Sequence, residues 1–333
     1  MSTAAMSRAA MIRLGGIGVI AGLILTGCAE KPTQKAVTPP EGPMVTQAQV
    51  VALMKNYDTI SYKANVKSDA KLMATIEDGG LLAKSLGTYR LARLLGDKLP
   101  YKRYTSPKPT AYIPPAGAYP RAFFVYSKTS GKAEANRLDV FRRSDAAAPW
   151  RKVVIASSEK PLPPIAVGPS GLATAVAPDA SGYAVKPIDV APLLAKALLS
   201  AKSPEGAKFA TSPLIKESNK AYLDSQNYVD QQAEVKGQGT RSRSSVPTKD
   251  ISAIKTKDGG VLVAGGMSIR GVARLTGGSH WTPEKSWQIY RRHPAPYTTE
   301  LSEFEATWVV QIPVKGLLKL VSYDEANTNF TVS

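Results

Sequence analysis

The sequence predicts an α+β protein in two successive copies, each with helices first and an antiparallel sheet after them. Three observations carry this expectation. A capped amphipathic helix opens at Thr46, the hydrophobic period changes from helical to strand-like beyond Pro120, and the same order returns after a Pro/Gly-rich stretch at 158–187. Helices grouped ahead of strands argue for α+β rather than an alternating parallel sheet.

Each element has a local cause. Thr46-Gln47-Ala48-Gln49 is a capping box, in which the Thr46 hydroxyl accepts from the Gln49 amide and the Gln49 side chain reaches back. Val45 and Val50 stand where a hydrophobic staple would, and Val50, Leu53, Met54, Tyr57, Ile60 and Ser61 continue at helical spacing. A second helical piece is expected over 69–77, ending at Gly79-Gly80, and a third over 81–95, ending at Gly96. Prolines then interrupt 98–120. Aromatic and β-branched residues predict strands at 122–126, 137–141 and 151–155.

In the second copy Asp189 is placed to cap a helix through Leu199. Ser203-Pro204 and Ser212-Pro213 each set an N-cap serine before proline at the first helical position, and the latter opens a long helix from Leu214. Strands are expected at 251–255, 261–263, 267–275, 286–290, 304–312 and 317–323, with Asp258-Gly259-Gly260 as a hairpin signal.

The N-terminus predicts a compartment. Arg8 and Arg13 precede the apolar run Leu14–Leu25, which is too short for a bilayer core of about 30 Å needing ~20 residues. This is the pattern of an export signal. Leu25-Thr26-Gly27-Cys28, which contains the chain's single cysteine, resembles the lipobox of bacterial lipoproteins. The resemblance implies cleavage before Cys28, a diacylglyceryl thioether on its sulfur, and anchoring on the extracytoplasmic face of the cell membrane. A plain signal peptide with a chance cysteine and an uncleaved signal anchor are the alternatives. Gly16-Ile17-Gly18-Val19-Ile20-Ala21 matches a dinucleotide fingerprint, but it follows no strand and lies in the export signal, so it carries no cofactor expectation.

The expected organisation is a signal peptide over 1–27, lipidated Cys28 with a Pro-rich tether over 28–44, a first α+β domain over 45–157, a linker over 158–187 and a second α+β domain over 188–333. Helices followed by a bent sheet resemble the NTF2-like or cystatin-like cone. Tandem copies behind a lipobox resemble uncharacterised actinobacterial lipoproteins. Loss of the signal removes Arg8 and Arg13 and leaves 41 basic against 26 acidic side chains, a net charge of +15. Nucleic acid is the usual partner of such a surplus, but an exported chain does not meet it, which leaves anionic envelope polymers.

Catalytic signals are few. The only histidines are His280 and His293, both beside turn residues, and no His, Cys or carboxylate cluster has metal spacing, so neither metal nor cofactor is expected. Ser68-Asp69-Ala70-Lys71 matches the S-x-x-K of acyl-serine enzymes. Its companions Ser225-Gln226-Asn227 and Lys128-Thr129-Ser130-Gly131 come in the wrong order or with an insertion, which leaves Ser68 as a helix N-cap. Two basic stretches supply candidate polyanion contacts: Lys98, Lys102, Arg103 and Lys108 among Tyr101 and Tyr104, and Arg241 and Arg243 among serines; solvated loops are the plainer account of both.

The function expected is a non-catalytic binding or scaffold module that holds an envelope protein or an anionic polymer. A small-molecule binder using a helix–sheet cavity is the alternative, and a cell-wall hydrolase or transferase comes third. A cavity lined by Tyr or Trp would favour the second reading, and a convergent acid/base pair the third.

Overall fold

In the computed structural model the described residues are 42–95, 103–118, 120–128, 130, 135–232, 239–247, 251–280 and 297–333. Helix α1 (Gln47–Lys67) begins at the expected capping box, with the Gln49 amide donating to Thr46 Oγ1 and the Thr46 amide to Gln49 Oε1. It ends at Ser68, whose φ of 50° is left-handed. Ser68 is therefore a C-cap and not the expected N-cap. Asp69 is the residue that caps the next helix, α2 (Ala70–Met73), by accepting the Leu72 amide at 2.9 Å. Helix α2 is one turn, shorter than the sequence predicts, and α3 (Gly79–Leu95) follows.

The first sheet runs β1 (Thr110–Tyr112), β2 (Arg121–Lys128), β3 (Asn136–Arg143) and β4 (Arg151–Ser158), all antiparallel and in that spatial order. Helix α1 lies on one of its faces, where Val50 and Met54 meet Phe123, Val125 and Phe141. Phe123 stacks on Phe141 at 5.1 Å and takes the edge of Trp150 at 4.9 Å.

The second half supplies α4 (Val190–Leu199) and α5 (Pro213–Gln232), then β5 (Gly239–Pro247), β6 (Ser252–Lys255), β7 (Val261–Leu275), β8 (Thr299–Ile312) and β9 (Lys319–Val332). Asp189 stands at the N-cap of α4 without a side-chain capping bond. Ser203 Oγ accepts the Gly206 amide, but only a 3-10 turn, Gly206–Lys208, follows. The second sheet is antiparallel in the order β5-β7-β8-β9, with β6 also on β7. The strand expected over 286–290 lies outside the described residues.

Two sequence expectations change here. Strand β7 is continuous where a break was expected at Gly265-Gly266, because Gly265 serves close approach: a Cβ there would lie 2.7 Å from the Trp308 ring. Strand β5 occupies a segment expected as a loop, since Thr240 to Ser245 alternate exposed hydroxyls with half-buried side chains and contain no apolar residue. Such a pattern pairs well at a sheet edge yet gives no hydrophobic signal.

The molecule is α+β, with two antiparallel sheets, and the sheets share a buried layer. Phe124, Leu138, Val140 and Val154 from the first meet Ile254, Leu262, Ala264 and Val309 from the second. The segment 158–187 is packed: Ile165 and Ala173 enter the same layer, and Ile165 bridges Thr256 while Ala175 bridges Ile254. The other face of the second sheet is covered by α4, through Val190, Leu194 and Leu198 against Val263, Met267 and Trp308. The described residues belong to one compact unit.

Helix α3 crosses from the first half onto β8 and β9. Gly87 makes the crossing close, since a Cβ there would sit 2.6 Å from Thr328 Cγ2 and 2.7 Å from Thr328 Cα. Alanine is the better helix former by about 1 kcal/mol, but overpacking against backbone costs ~1–3 kcal/mol. Gly87→Ala is therefore expected to lower the thermal midpoint, and an unchanged or higher midpoint would show that the helix can lift off β9 freely.

Candidate functional site

Two turns of α1 and two turns of α3 wall an open cleft of about 420 Å³. From α1 come Tyr57, Asp58, Ser61, Tyr62 and Asn65, whose spacing keeps them on one side of the helix. From α3 come Lys84, Ser85, Thr88 and Tyr89 at the same kind of spacing. Arg137 on β3 and Ile155 on β4 form the floor, Asp324 on β9 closes one side, and Tyr104 stands on the segment before β1. That segment is held in place. The Ser106 amide donates to Asp58 Oδ2 at 2.9 Å, and Ser130 joins the Thr105 amide and hydroxyl at 3.0 and 2.9 Å.

Beneath the floor is a fully buried ionic cluster. Lys152 Nζ lies 3.1 Å from Asp139 Oδ1, both side chains being 0% exposed, and Arg137 Nε donates to the same oxygen at 2.9 Å. The ammonium sits 3.5 Å from the centre of the Tyr57 ring and 3.9 Å from Met54 Sδ. Tyr57 in turn donates its hydroxyl to Glu77 Oε1 at 2.5 Å, and Ser85 donates to Glu77 Oε2 at 2.6 Å.

Burial decides the titration of these groups. It pushes Lys152 down to about 7, against the pull of Asp139 in the other direction. It raises Glu77, opposed by the hydroxyls of Ser85 and Tyr57, and raises Asp58, opposed by the Ser106 amide. Tyr57 is raised well above the ordinary phenol value by burial and then by Glu77.

The residues singled out from sequence fall elsewhere. Cys28, Leu25, Thr26, Gly27, Lys98, Lys102 and His293 lie outside the described residues. Arg103 is exposed beside Tyr104, and Lys108 is exposed with a φ of 49°. Arg241 and Arg243 lie in β5 with side chains 15% exposed, the first 4.0 Å from Glu300 Oε1 and the second bound to Glu325 Oε2. Their charge faces carboxylates of their own chain. His280 is exposed just beyond the turn at Gly277-Gly278. Ser68, Ser225 and Ser130 stand on the α1 C-cap, on α5 and beyond the end of β2, and Lys71 is exposed, so no acyl-serine constellation is visible in their placement. Among the described residues there is no group of three or more His, Cys, Asp or Glu side chains arranged for a metal, and no helix long and apolar enough to cross a membrane.

The cleft residues were within reach of the sequence. Tyr57, Ser61 and Asn65 repeat at four-residue spacing, as do Leu81, Ser85 and Tyr89, and a polar stripe beside an apolar one is the available signal. Lys152 gave none.

Fold and cleft define a class: an α+β protein whose helices wall a pocket over a buried charged floor. The chain belongs to the family described as a domain of unknown function, DUF8094, whose model matches residues 41–329. It is similar to an uncharacterised lipoprotein of Streptomyces coelicolor, at 28% identity over 328 residues, covering 92% of this chain and 90% of that protein.

The buried lysine predicts a pH dependence. Its folded value, about 7, lies below the ordinary 10.5, so between these limits the unfolded chain holds the extra proton and stability rises with pH. The slope is on the order of 1 kcal/mol per pH unit at its steepest. Urea unfolding midpoints measured from pH 7 upward should climb in the natural protein and flatten in Lys152→Met, which removes the titrating amine. Equal slopes in both would show that Lys152 does not carry the effect.

Proposed function

We propose that the protein is a lipid-anchored, non-catalytic binding module of the cell envelope, held on the extracytoplasmic face by a diacylglyceryl group on Cys28, and that it takes a small molecule in the tyrosine-lined cleft. The observation that carries the binding role is the convergence of Tyr57, Tyr62, Tyr89 and Tyr104 from three segments on one cleft of about 420 Å³, within the size range of ligand pockets. Tyrosine suits such a wall because it offers apolar area and a polar tip together.

Binding is favoured over hydrolysis by the state of the acids. Glu77 is buried with both oxygens occupied by hydroxyls of its own chain and Asp324 is paired with Lys84, which leaves Asp58 in the cleft without the second free carboxyl group that an acid/base pair requires. A general acid needs an oxygen within reach of the reacting group. Binding to an anionic polymer or an envelope protein draws less support, because Arg241 and Arg243 face Glu300 and Glu325.

The lipid anchor rests on the resemblance of Leu25–Cys28 to a lipobox and on the similarity to a Streptomyces lipoprotein. The packing of α1 on Phe123, Val125 and Phe141 supports reading the first half as a cone of the NTF2-like or cystatin-like kind. The tandem domains at 45–157 and 188–333 are then joined through the layer that the two sheets share.

Two measurements test this. Cys28→Ser should move the protein from the membrane fraction to the soluble fraction; retention in the membrane would defeat the lipid anchor. Mass spectrometry of small molecules released from the full mature protein on denaturation should show a species that is reduced about tenfold in Tyr62→Ala. Identical extracts from both proteins would defeat the cleft.

A further inference from the structure

We infer that the ligand of this cleft is a neutral saccharide of about two rings, an inference that rests on the cleft being the binding site. Three observations point to that class. The first is charge. The cations that line the cleft are paired inside the chain, Lys84 with Asp324 and Arg137 with Asp139, while Glu77 is held by two hydroxyls. Asp58 remains as a carboxylate at the cleft with no cation paired to it among the described residues, and its Oδ2 is held by the Ser106 amide. A site whose cations are already paired has little to offer a free anion beyond what water offers, and its open acceptor suits a hydroxyl.

The second observation is the form of the aromatic wall. Tyr62 is 37% exposed and Tyr104 is 52% exposed, although large apolar rings are usually covered. They stand on different segments at one cleft, and the segment of Tyr104 is fixed by the bonds from Ser106 and Thr105. Open ring surface on a fixed mount matches the C–H face of a pyranose, which is apolar although the rim of the same ring carries hydroxyls.

The third is the order of polar groups along α1. Asp58, Tyr62 and Asn65 follow one another on one side of the helix, acceptor, ring and amide, over about 10 Å at 1.5 Å per residue. Tyr89 donates to Asn65 Oδ1 at 2.6 Å, which turns the Asn65 amide nitrogen into the available donor. Asp58 accepts a hydrogen bond from a hydroxyl at one end, Asn65 donates one to a hydroxyl or ring oxygen at the other, and Tyr62 carries the ring face between them. Hydroxyls both donate and accept, so one chemical group satisfies both ends.

The test is binding of the mature lipoprotein, kept in detergent, to an array of immobilised neutral glycans, followed by calorimetric titration with cellobiose, maltose and N,N′-diacetylchitobiose. Choline, glucuronic acid, inorganic phosphate and L-leucine serve as charged and zwitterionic probes. Expected is binding to at least one neutral glycan that weakens about tenfold or more in both Tyr62→Ala and Asp58→Asn. Tyr104→Ala, at an exposed position, gives the same reading should Asp58→Asn not fold. No neutral glycan bound, or binding that all three variants retain, overturns the saccharide. Should choline, glucuronic acid, phosphate or leucine bind instead and be lost in Tyr62→Ala, the cleft stands as a small-molecule site and only the ligand class fails. Silence from every probe, together with identical denaturation extracts from the natural protein and Tyr62→Ala, removes both readings.

Discussion

The contact between Lys152 and Asp139 is the constraint on which the rest of the first half depends. Two unit charges with no solvent access are costly to bury, and the cost is met only when each has a close partner and further hydrogen bonds. Lys152 and Arg137 both meet Asp139 at Oδ1, and the ammonium rests on the Tyr57 ring. Asp139 Oδ2 and Arg137 Nη2 take no hydrogen-bond partner among the described residues, so the cost is met only in part and burial lowers the pKa of Lys152. The same residue works through its backbone. Its amide donates to Ile76 at 2.8 Å, and its carbonyl accepts the Asp78 amide at 3.0 Å, so the turn between α2 and α3 is strung onto β4. Helix α1 is tied by Tyr57 and Met54, and the start of α3 by Asp78.

The cleft is a consequence of this arrangement. With Glu77 bound to β4 beside Lys152, its carboxylate takes Tyr57 from α1 and Ser85 from α3 and sets the distance between the two helices. Helix α3 is then pressed onto β9 by the absence of a side chain at Gly87 and by the pair between Lys84 and Asp324. The two walls are held from opposite directions, one by the first sheet and one by the second. A gap remains between them on the outer side, and tyrosines and hydroxyls line it because neither helix can bury that face. A ligand there would touch elements of both halves, which gives the shared layer between the sheets a role in keeping the cleft's width constant.

Much of this was legible in the sequence, and the parts that were not have definite causes. The capping box at Thr46, the order of helices before strands and the strands β2, β3, β4, β6, β8 and β9 follow from local pattern. The placement of Lys152 does not. Simple alternation would set it on the same face as Val154 and Ala156, which look toward the second sheet. A β-bulge intervenes: Val140 pairs with Val154, but Phe141 pairs with Lys152, so Val153 is the extra residue. The bulge returns Lys152 to the face of Phe141 and Asp139, under α1. Strand β5 was missed because its alternation is between serine and arginine, and β7 was read as broken because its glycines look like turn residues until Trp308 is known to lie against one of them. In each case the deciding partner is distant in the chain.

The charge balance shows the same limit from another side. A surplus of basic residues in the totals suggested an anionic partner, yet totals do not distinguish free charge from charge already used. The second sheet uses acids and bases against each other, with Arg241 near Glu300 and Arg243 bound to Glu325 across its strands. The cleft does so again with Lys84, Asp324, Arg137 and Asp139. What remains unbalanced is spread over exposed positions such as Arg103 and Lys108, where it favours solubility and general attraction. If the cleft binds a small molecule, as proposed, selectivity would come from the side of α1 that carries Asp58, Tyr62 and Asn65, where the neighbouring cations are already paired and shape and hydrogen bonds are left to discriminate.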